Sequence, residues 1–256
     1  MIDLHCHILP GLDDGSKTVV ESLSMAEEAS KQGITKIVAT PHHNNGQYEN
    51  DGHDIIEAVH QLNVQLKEEN IPVEILAGQE PRVNGNMIAD LDNGKVLTLN
   101  QTSGYVLVEF PTSQVPKYTT QLLFDMQITG YTPIIVHPER NQELRENPDK
   151  LYRLVKNGAL TQITAGSLIG NAGKKIQRFA EQMIETNLTH FIASDAHNVR
   201  KRGFYMRDAL RYLKKNYGNP AAYQFTENSE LLLLGQMVNR EPPERIKRKK
   251  KWFSRR

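Results

Sequence analysis

Short apolar or β-branched runs alternate with longer amphipathic stretches along this chain. The runs predict strands at Ile2–His5, Ile34–Thr40, Val73–Ala77, Tyr105–Glu109, Pro133–His137, Leu160–Thr164 and Phe191–Ser194. Helical periodicity fills the intervals, at about 16–33, 54–70, 117–129, 148–157, 171–187 and 203–217. Ser16 is the expected N-cap of the first helix and Gly33 its C-terminal stop, with Gly130 and Gly158 ending two later helices. Strand and helix in strict alternation imply parallel strands with helical crossovers. Seven such strands suggest a barrel or strongly curved sheet in a single domain over residues 1–240. The stretch Thr226–Val238 is read as a closing element, and Pro242-Pro243 separates it from a basic tail, 241–256.

Composition narrows the function classes. The chain has 256 residues, 38% of them hydrophobic, and its apolar runs fall far short of the roughly 20 needed to cross a bilayer. No signal-peptide pattern opens the sequence, and the single Cys6 cannot form an intramolecular disulfide, so a reducing, cytoplasmic setting is expected. The net charge of +1 hides an asymmetry. Eight basic residues and no acidic one follow Glu244, which leaves 23 basic against 30 acidic residues in the body, a net of −7. An acidic body argues against nucleic acid as a partner, because phosphate-backbone affinity comes from basic contacts. The tail, with Lys247–Lys251 before Trp252-Phe253, could touch an anionic membrane surface weakly. A disordered, solubilising end is the preferred reading.

Chemistry gathers where the strands end. In parallel α/β rings, functional groups collect at the C-terminal ends of strands and in the loops after them. Here those positions hold His5 and His7, Asp13 and Asp14, His42, Glu80, Glu109, His137 with Glu139 and Arg140, and Asp195 with His197. His5 and His7, two apart, share a face of an extended strand. Each element alone is commonly structural, and His43, His53, His60 and His190 are assigned to packing or surface. The joint pattern is harder to explain without a metal, since buried charges are costly unless paired or metal-bound. Nitrogen and carboxylate ligands without thiolate suit manganese, iron or zinc. Cys6 would point away from the histidines on an extended strand. Alternation places Asp3 on the ligand face, where it is expected to support the ligands or help seat the strand.

The set His5-x-His7, Asp14, Thr-Pro-His42, Glu80, Glu109, His137-Pro-Glu-Arg and Asp195-x-His197 resembles the PHP (polymerase and histidinol phosphatase) superfamily. The opening Met-Ile-Asp-Leu-His-Cys-His-Ile-Leu-Pro-Gly-Leu-Asp-Asp-Gly-Ser, with Ala-Thr-Pro-His-His-Asn and Ala-Ser-Asp-Ala-His-Asn, is similar to a narrower group. These are the manganese-dependent protein tyrosine phosphatases of Gram-positive capsule and exopolysaccharide clusters. The resemblance implies a distorted (β/α)7 barrel and three Mn²⁺ ions, with iron or zinc an option in some positions. His5, His7, Glu80 and Asp195 would hold one ion. Glu80 would bridge to a second with Glu109 and His137, and Asp14, His42 and His197 would hold the third. Arg140 and Arg202 would bind phosphate, a task suited to the guanidinium fork. For Arg202, beside Arg200 and Lys201, a solvated basic cluster is the competing reading. The implied substrate is a phosphorylated bacterial tyrosine kinase bearing a C-terminal tyrosine cluster. The implied mechanism is direct hydrolysis by metal-activated hydroxide without a phosphoenzyme. The Cys-x5-Arg signature of cysteine-dependent tyrosine phosphatases is missing, since five intervening residues lead from Cys6 to Leu12. The alternatives are a small-molecule phosphatase of the histidinol phosphate type and a metal-stabilised binding module for a membrane kinase.

Overall fold

The computed structural model describes residues 1–247; residues 248–256, with most of the predicted basic tail, lie outside the described residues. Among the described residues, nineteen elements follow one another. They are β1 (Ile2–Cys6), α1 (Val19–Lys31), β2 (Lys36–Ala39), β3 (His42–His43), α2 (Gly52–Glu68), β4 (Glu74–Ala77), β5 (Glu80–Pro81), α3 (Met87–Asp92), β6 (Tyr105–Val108) and α4 (Thr119–Ile128). Then come β7 (Thr132–Val136), a 3-10 turn (Pro138–Arg140), α5 (Gln142–Glu146), α6 (Pro148–Lys156), β8 (Leu160–Thr164), α7 (Ala165–Leu168), α8 (Lys174–Glu185), β9 (Phe191–Ala193) and α9 (Met206–Leu233).

All strand pairs are parallel, as the alternation of strand and helix requires. They form sheets in the orders β1-β2-β4, β6-β7-β8-β9 and β3-β5. Two seams join them. At one, the amides of His7 and Asp195 donate to Ala196 and His5 carbonyls, so β9 borders β1. At the other, β4 does not pair with β6 directly. A loop runs between them, with Asn100 N–H donating to Ala77 and Leu99 N–H to Tyr105. This inserted loop is where the ring departs from regularity.

The side chains sort onto two sides of that ring. Leu4, Val38, Leu107, Ile134, Val136, Leu160, Phe191 and Ala193 form one buried cluster drawn from the strands. Their neighbours Ile37, Ile75, Val106, Ile135, Ile163 and Ile192 face the other way and join the larger cluster beneath the helices. Period-two alternation on every strand thus separates an inner core from an outer one. The bottom of the inner core is stopped by the end of α9, through Leu232 and Val238, while Tyr105 Oη donates to Gln236 O at 2.8 Å. The expected closing element therefore packs where the inner core would otherwise meet water. Gly218, at φ +84°, breaks α9 just before Pro220 and turns its second half toward this plug.

Local caps differ in one respect from expectation. Thr18, not Ser16, caps α1, accepting from Glu21 N–H, and Ser16 instead bonds Ser22 Oγ at 2.9 Å. Gly33, Gly130 and Gly158 all adopt positive φ just past helix ends, the left-handed stop a side chain would resist. Residues 241–247 dock on the body: Glu244 N–H donates to Thr186 O at 2.8 Å, and the Arg245 guanidinium lies 4.4 Å from the Tyr152 ring centre.

Candidate metal centre

The ligand positions extend the inner rows of the ring. Leu107 is followed two residues later by Glu109 and Ala193 by Asp195, so these two inner rows turn from apolar to carboxylate at their C-terminal ends, while on β8 Leu160 is followed by the polar Gln162. On β1 a bulge makes this possible. Asp3 pairs with Ile37 and Cys6 with Ala39, so three steps on β1 match two on β2. The extra residue reverses the alternation. Leu4 stays with the inner cluster, Cys6 joins the outer one, and His5 and His7 carry their imidazoles inward. Asp3 is left on the outer side. It accepts from Ser194 N–H at 2.9 Å and from Ser194 Oγ, fastening β1 to β9. Strict alternation would have put it on the ligand face; the bulge overturns that placement, while its expected part in seating the strand is what these bonds perform. Burial raises its carboxyl to about 6 against the pull of those bonds.

The centre is defined by lone pairs that face one another. His5 Nδ1 donates to Gln162 Oε1 at 2.9 Å, and His7 Nδ1 to Asp13 Oδ2 at 2.6 Å. With the proton of each neutral ring on Nδ1, the two Nε2 lone pairs face each other, 3.3 Å apart. Glu80 Oε2 stands 3.4 and 3.3 Å from them, and Asp195 Oδ1 stands 3.5 and 3.2 Å away. Glu80 continues the cluster, its Oε2 2.8 Å from His42 Nδ1 and its Oε1 2.8 Å from His137 Nε2. On the next side Asp14 Oδ1 lies 3.2 Å from His197 Nε2 and 3.4 Å from His42 Nε2. Glu109 Oε2 is 3.8 Å from His42 Nδ1.

These residues fit metal ions on the strength of their own atoms. His42 Nδ1, Glu80 Oε2 and His197 Nε2 are buried without an aligned hydrogen bond, their nearest polar neighbours being other ligand candidates. Such orphaned atoms are rare and costly unless a cation satisfies them. Three groups come close enough to share an ion: His5, His7 and Glu80; His42, Glu80 and Glu109; and His7, Asp14, His42 and His197. Electrostatics point the same way. Burial works to strip the proton from His5 and His7, yet the surrounding carboxylates prevail and push both upward. The cluster binds positive charge, and a metal ion would replace those protons.

All nine ligand candidates converge: His5, His7, Asp14, His42, Glu80, Glu109, His137, Asp195 and His197. Arg140 donates to Asp195 and, at 3.2 Å, to Thr164 Oγ1. Arg202 Nη1 donates to Asp14 Oδ2 at 2.8 Å, which turns its guanidinium toward the cluster while the side chain stays 43% exposed. His137 and Asp195 hold positive φ, +34° and +52°, at the strand ends. Non-glycine residues pay for such backbone with roughly 1–3 kcal/mol, and it concentrates at functional sites. Here it re-aims each side chain off its strand.

Three residues support these ligands, and of them Gln162 and Arg82 were not singled out from sequence. Gln162 orients His5. Asp13 orients His7 and also accepts from His42 N–H at 3.0 Å. Arg82 Nε lies 3.0 Å from Glu109 Oε2. A long amide side chain among the β-branched and apolar residues of β8 was the available signal for Gln162. The remaining histidines sit apart, with His43 accepting from Asn50 N–H at 3.2 Å, His190 buried on Thr161 N–H, and His53 and His60 exposed.

A ring of parallel strands with imidazoles and carboxylates converging at one rim defines a metal-dependent α/β hydrolase. Residues 1–234 match the family described as capsular polysaccharide synthesis, CpsB/CapC. The tyrosine-protein phosphatase YwqE of Bacillus subtilis (strain 168) is 51% identical over 250 residues, 98% of each chain. The putative tyrosine-protein phosphatase CapC of Staphylococcus aureus is 38% identical over 255 residues, 99% of each. A solved structure from work on YwqE of B. subtilis and CpsB of Streptococcus pneumoniae, described as unique metal-dependent tyrosine phosphatases, superposes with a TM-score of 0.94. It is 50% identical and covers 97% of this chain and 100% of that one. The chain belongs to the CpsB/CapC family.

Proposed function

We propose that this chain is a metal-dependent protein-tyrosine phosphatase that transfers the phosphoryl group of phosphotyrosine directly to water. The observation that carries the reading is the convergence of bare His5 and His7 Nε2 atoms with Glu80 Oε2 and Asp195 Oδ1. In this reading the nine converging ligands hold Mn²⁺, three ions per chain. Bound there, the ions supply Lewis-acid stabilisation of phosphoryl charge and a lowered pKa for water.

The chain's own groups do the rest. Arg140 and Arg202 stay charged at any working pH and offer forked donors to the equatorial phosphoryl oxygens. In the absence of phosphate they rest on Asp195 and Asp14. Asp13 and Gln162 hold the protons of His7 and His5 on Nδ1, which keeps each Nε2 free. A phosphocysteine route is disfavoured, because Cys6 is fully buried and burial, reinforced by nearby carboxylates, pushes its thiol well up. The phosphoprotein substrate proposed is a bacterial tyrosine kinase that governs capsule or exopolysaccharide synthesis. The proposed setting is cytoplasmic; no helix among the described residues is long and apolar enough to cross a membrane.

The test is phosphate release from a tyrosine-phosphorylated peptide and from histidinol phosphate, each with Mn²⁺, with and without chelator. Preference for the peptide, lost on chelation, is the expected result. Preference for histidinol phosphate would keep the metal centre and overturn the substrate. Turnover of neither would favour a metal-stabilised binding module.

A further inference from the structure

Two cavities flank the metal centre, and Arg140, Asp195 and Arg202 line both of them. A phosphoryl group held by the two arginines therefore sits at their junction. The smaller cavity, of about 150 Å³, is lined also by Phe110, Val136 and Pro138, a surface suited to a phenyl ring. The larger, of about 270 Å³, is lined also by Ser167, Asn171, Lys201 and Tyr205. Its charged lining is Arg140, Lys201 and Arg202 against Asp195 alone, a surplus of two positive charges.

The cations are not equivalent. Arg140 and Arg202 are engaged by Asp195 and Asp14. Lys201 has no ion-pair partner among the described residues, and its side chain is exposed. The loop that presents it is tied down. His197 and Asn198 amides both donate to Arg202 O, at 2.8 and 3.1 Å, closing the loop's base. Asn198 Oδ1 accepts from Arg200 N–H at 2.9 Å, and Tyr205 Oη donates to Arg200 O at 3.0 Å. Lys201 thus brings an unpaired ammonium to a net-positive cavity that shares Arg140 and Arg202 with the metal centre, where it adds to the potential drawing in an anion.

We infer that the cavity lined by Lys201, Asn171 and Tyr205 is a subsite for an anionic side chain close in sequence to the phosphotyrosine, with Lys201 as its specificity-determining residue. This rests on the proposed phosphotyrosine reading and adds the kind of peptide the site prefers. The anion is a carboxylate or a second phosphate, both of which an ammonium takes as a point charge.

The experiment compares kcat/KM for three phosphotyrosine peptides on the Mn²⁺-loaded full chain. One carries glutamates on both sides of the phosphotyrosine, one carries a second phosphotyrosine, and one carries only alanines. The expected result is a roughly three- to tenfold preference for at least one anionic peptide at low salt, as for a partly exposed ion pair. That preference falls to near one in Lys201→Ala and inverts in Lys201→Glu, while thermal melting shows both variants folded. Which anionic peptide is preferred identifies the anion. Equal turnover of all three by the wild type would overturn the subsite, as would a preference unchanged in Lys201→Glu. Failure to turn over any of the three peptides would instead overturn the phosphotyrosine reading, and the subsite with it.

Discussion

His5 Nδ1 donates to Gln162 Oε1 at 2.9 Å, joining residues 157 positions apart in the chain. Both side chains are buried, and the bond decides which imidazole nitrogen is left to bind metal. Gln162→Leu removes the acceptor while keeping the volume close. His5 can then carry its proton on either nitrogen. Metal affinity is expected to fall by roughly 10- to 100-fold, the usual effect of losing such an orienting partner. Calorimetric titration of Mn²⁺ into the metal-free variant reads this directly, and an unchanged affinity would assign Gln162 to packing alone.

Glu80 is the hub of the centre, within 3.4 Å of His5, His7, His42 and His137. Metal binding to the native chain alone should stabilise it by about 2.7 kcal/mol at a hundredfold excess over Kd. Melting temperature should therefore rise with Mn²⁺ and fall back with chelator. Glu80→Gln keeps the shape but removes the charge. It should lose most of the Mn²⁺-dependent rise, together with phosphatase activity.

Gly15 approaches the metal loop too closely for any side chain. A Cβ there would lie 2.1 Å from His7 O and 2.5 Å from His7 Cβ. Gly15→Ala must push the segment bearing Asp13 and Asp14 away from His7. A loss of about 2–3 kcal/mol is expected in urea unfolding, as for an overpacked site, with weakened metal binding. Gly85→Ala is the control, since nothing lies within 4 Å of its Cβ.

His190 should make the fold acid-sensitive. Burial holds its pKa down to about 3 from an ordinary value of 6.5. Between these values the unfolded chain binds a proton that the folded chain refuses, so stability rises with pH across that window. The contribution is complete above about pH 6.5 and is lost as pH falls toward 3. Nδ1 accepts from Thr161 N–H at 3.1 Å, a role that the Oδ1 of asparagine can fill. In His190→Asn, proton uptake on unfolding near pH 5 should drop by roughly one per molecule. No drop would mean that His190 titrates normally in the fold.

The chain's own periodicities determined the alternation of strands and helices, their approximate bounds and the parallel pairing they force. The ligand candidates could be named from sequence, because several of them end an apolar run or follow one closely and such positions are local. Arg140 was readable by its place three residues after His137. What local pattern could not contain was decided in three dimensions. The bulge on β1 sent His5 and His7 inward and Asp3 outward, since an extra residue shows only against the partner strand's register. The loop between β4 and β6 hid its bridging role, being neither apolar nor periodic. The two-residue strands β3 and β5 exist only because each pairs with the other. The left-handed backbone at His137 and Asp195, and the partners Gln162 for His5 and Arg82 for Glu109, follow from packing between distant segments. Periodicity is a property of neighbours along the chain, whereas tautomer, register and ion pairing are properties of neighbours in space.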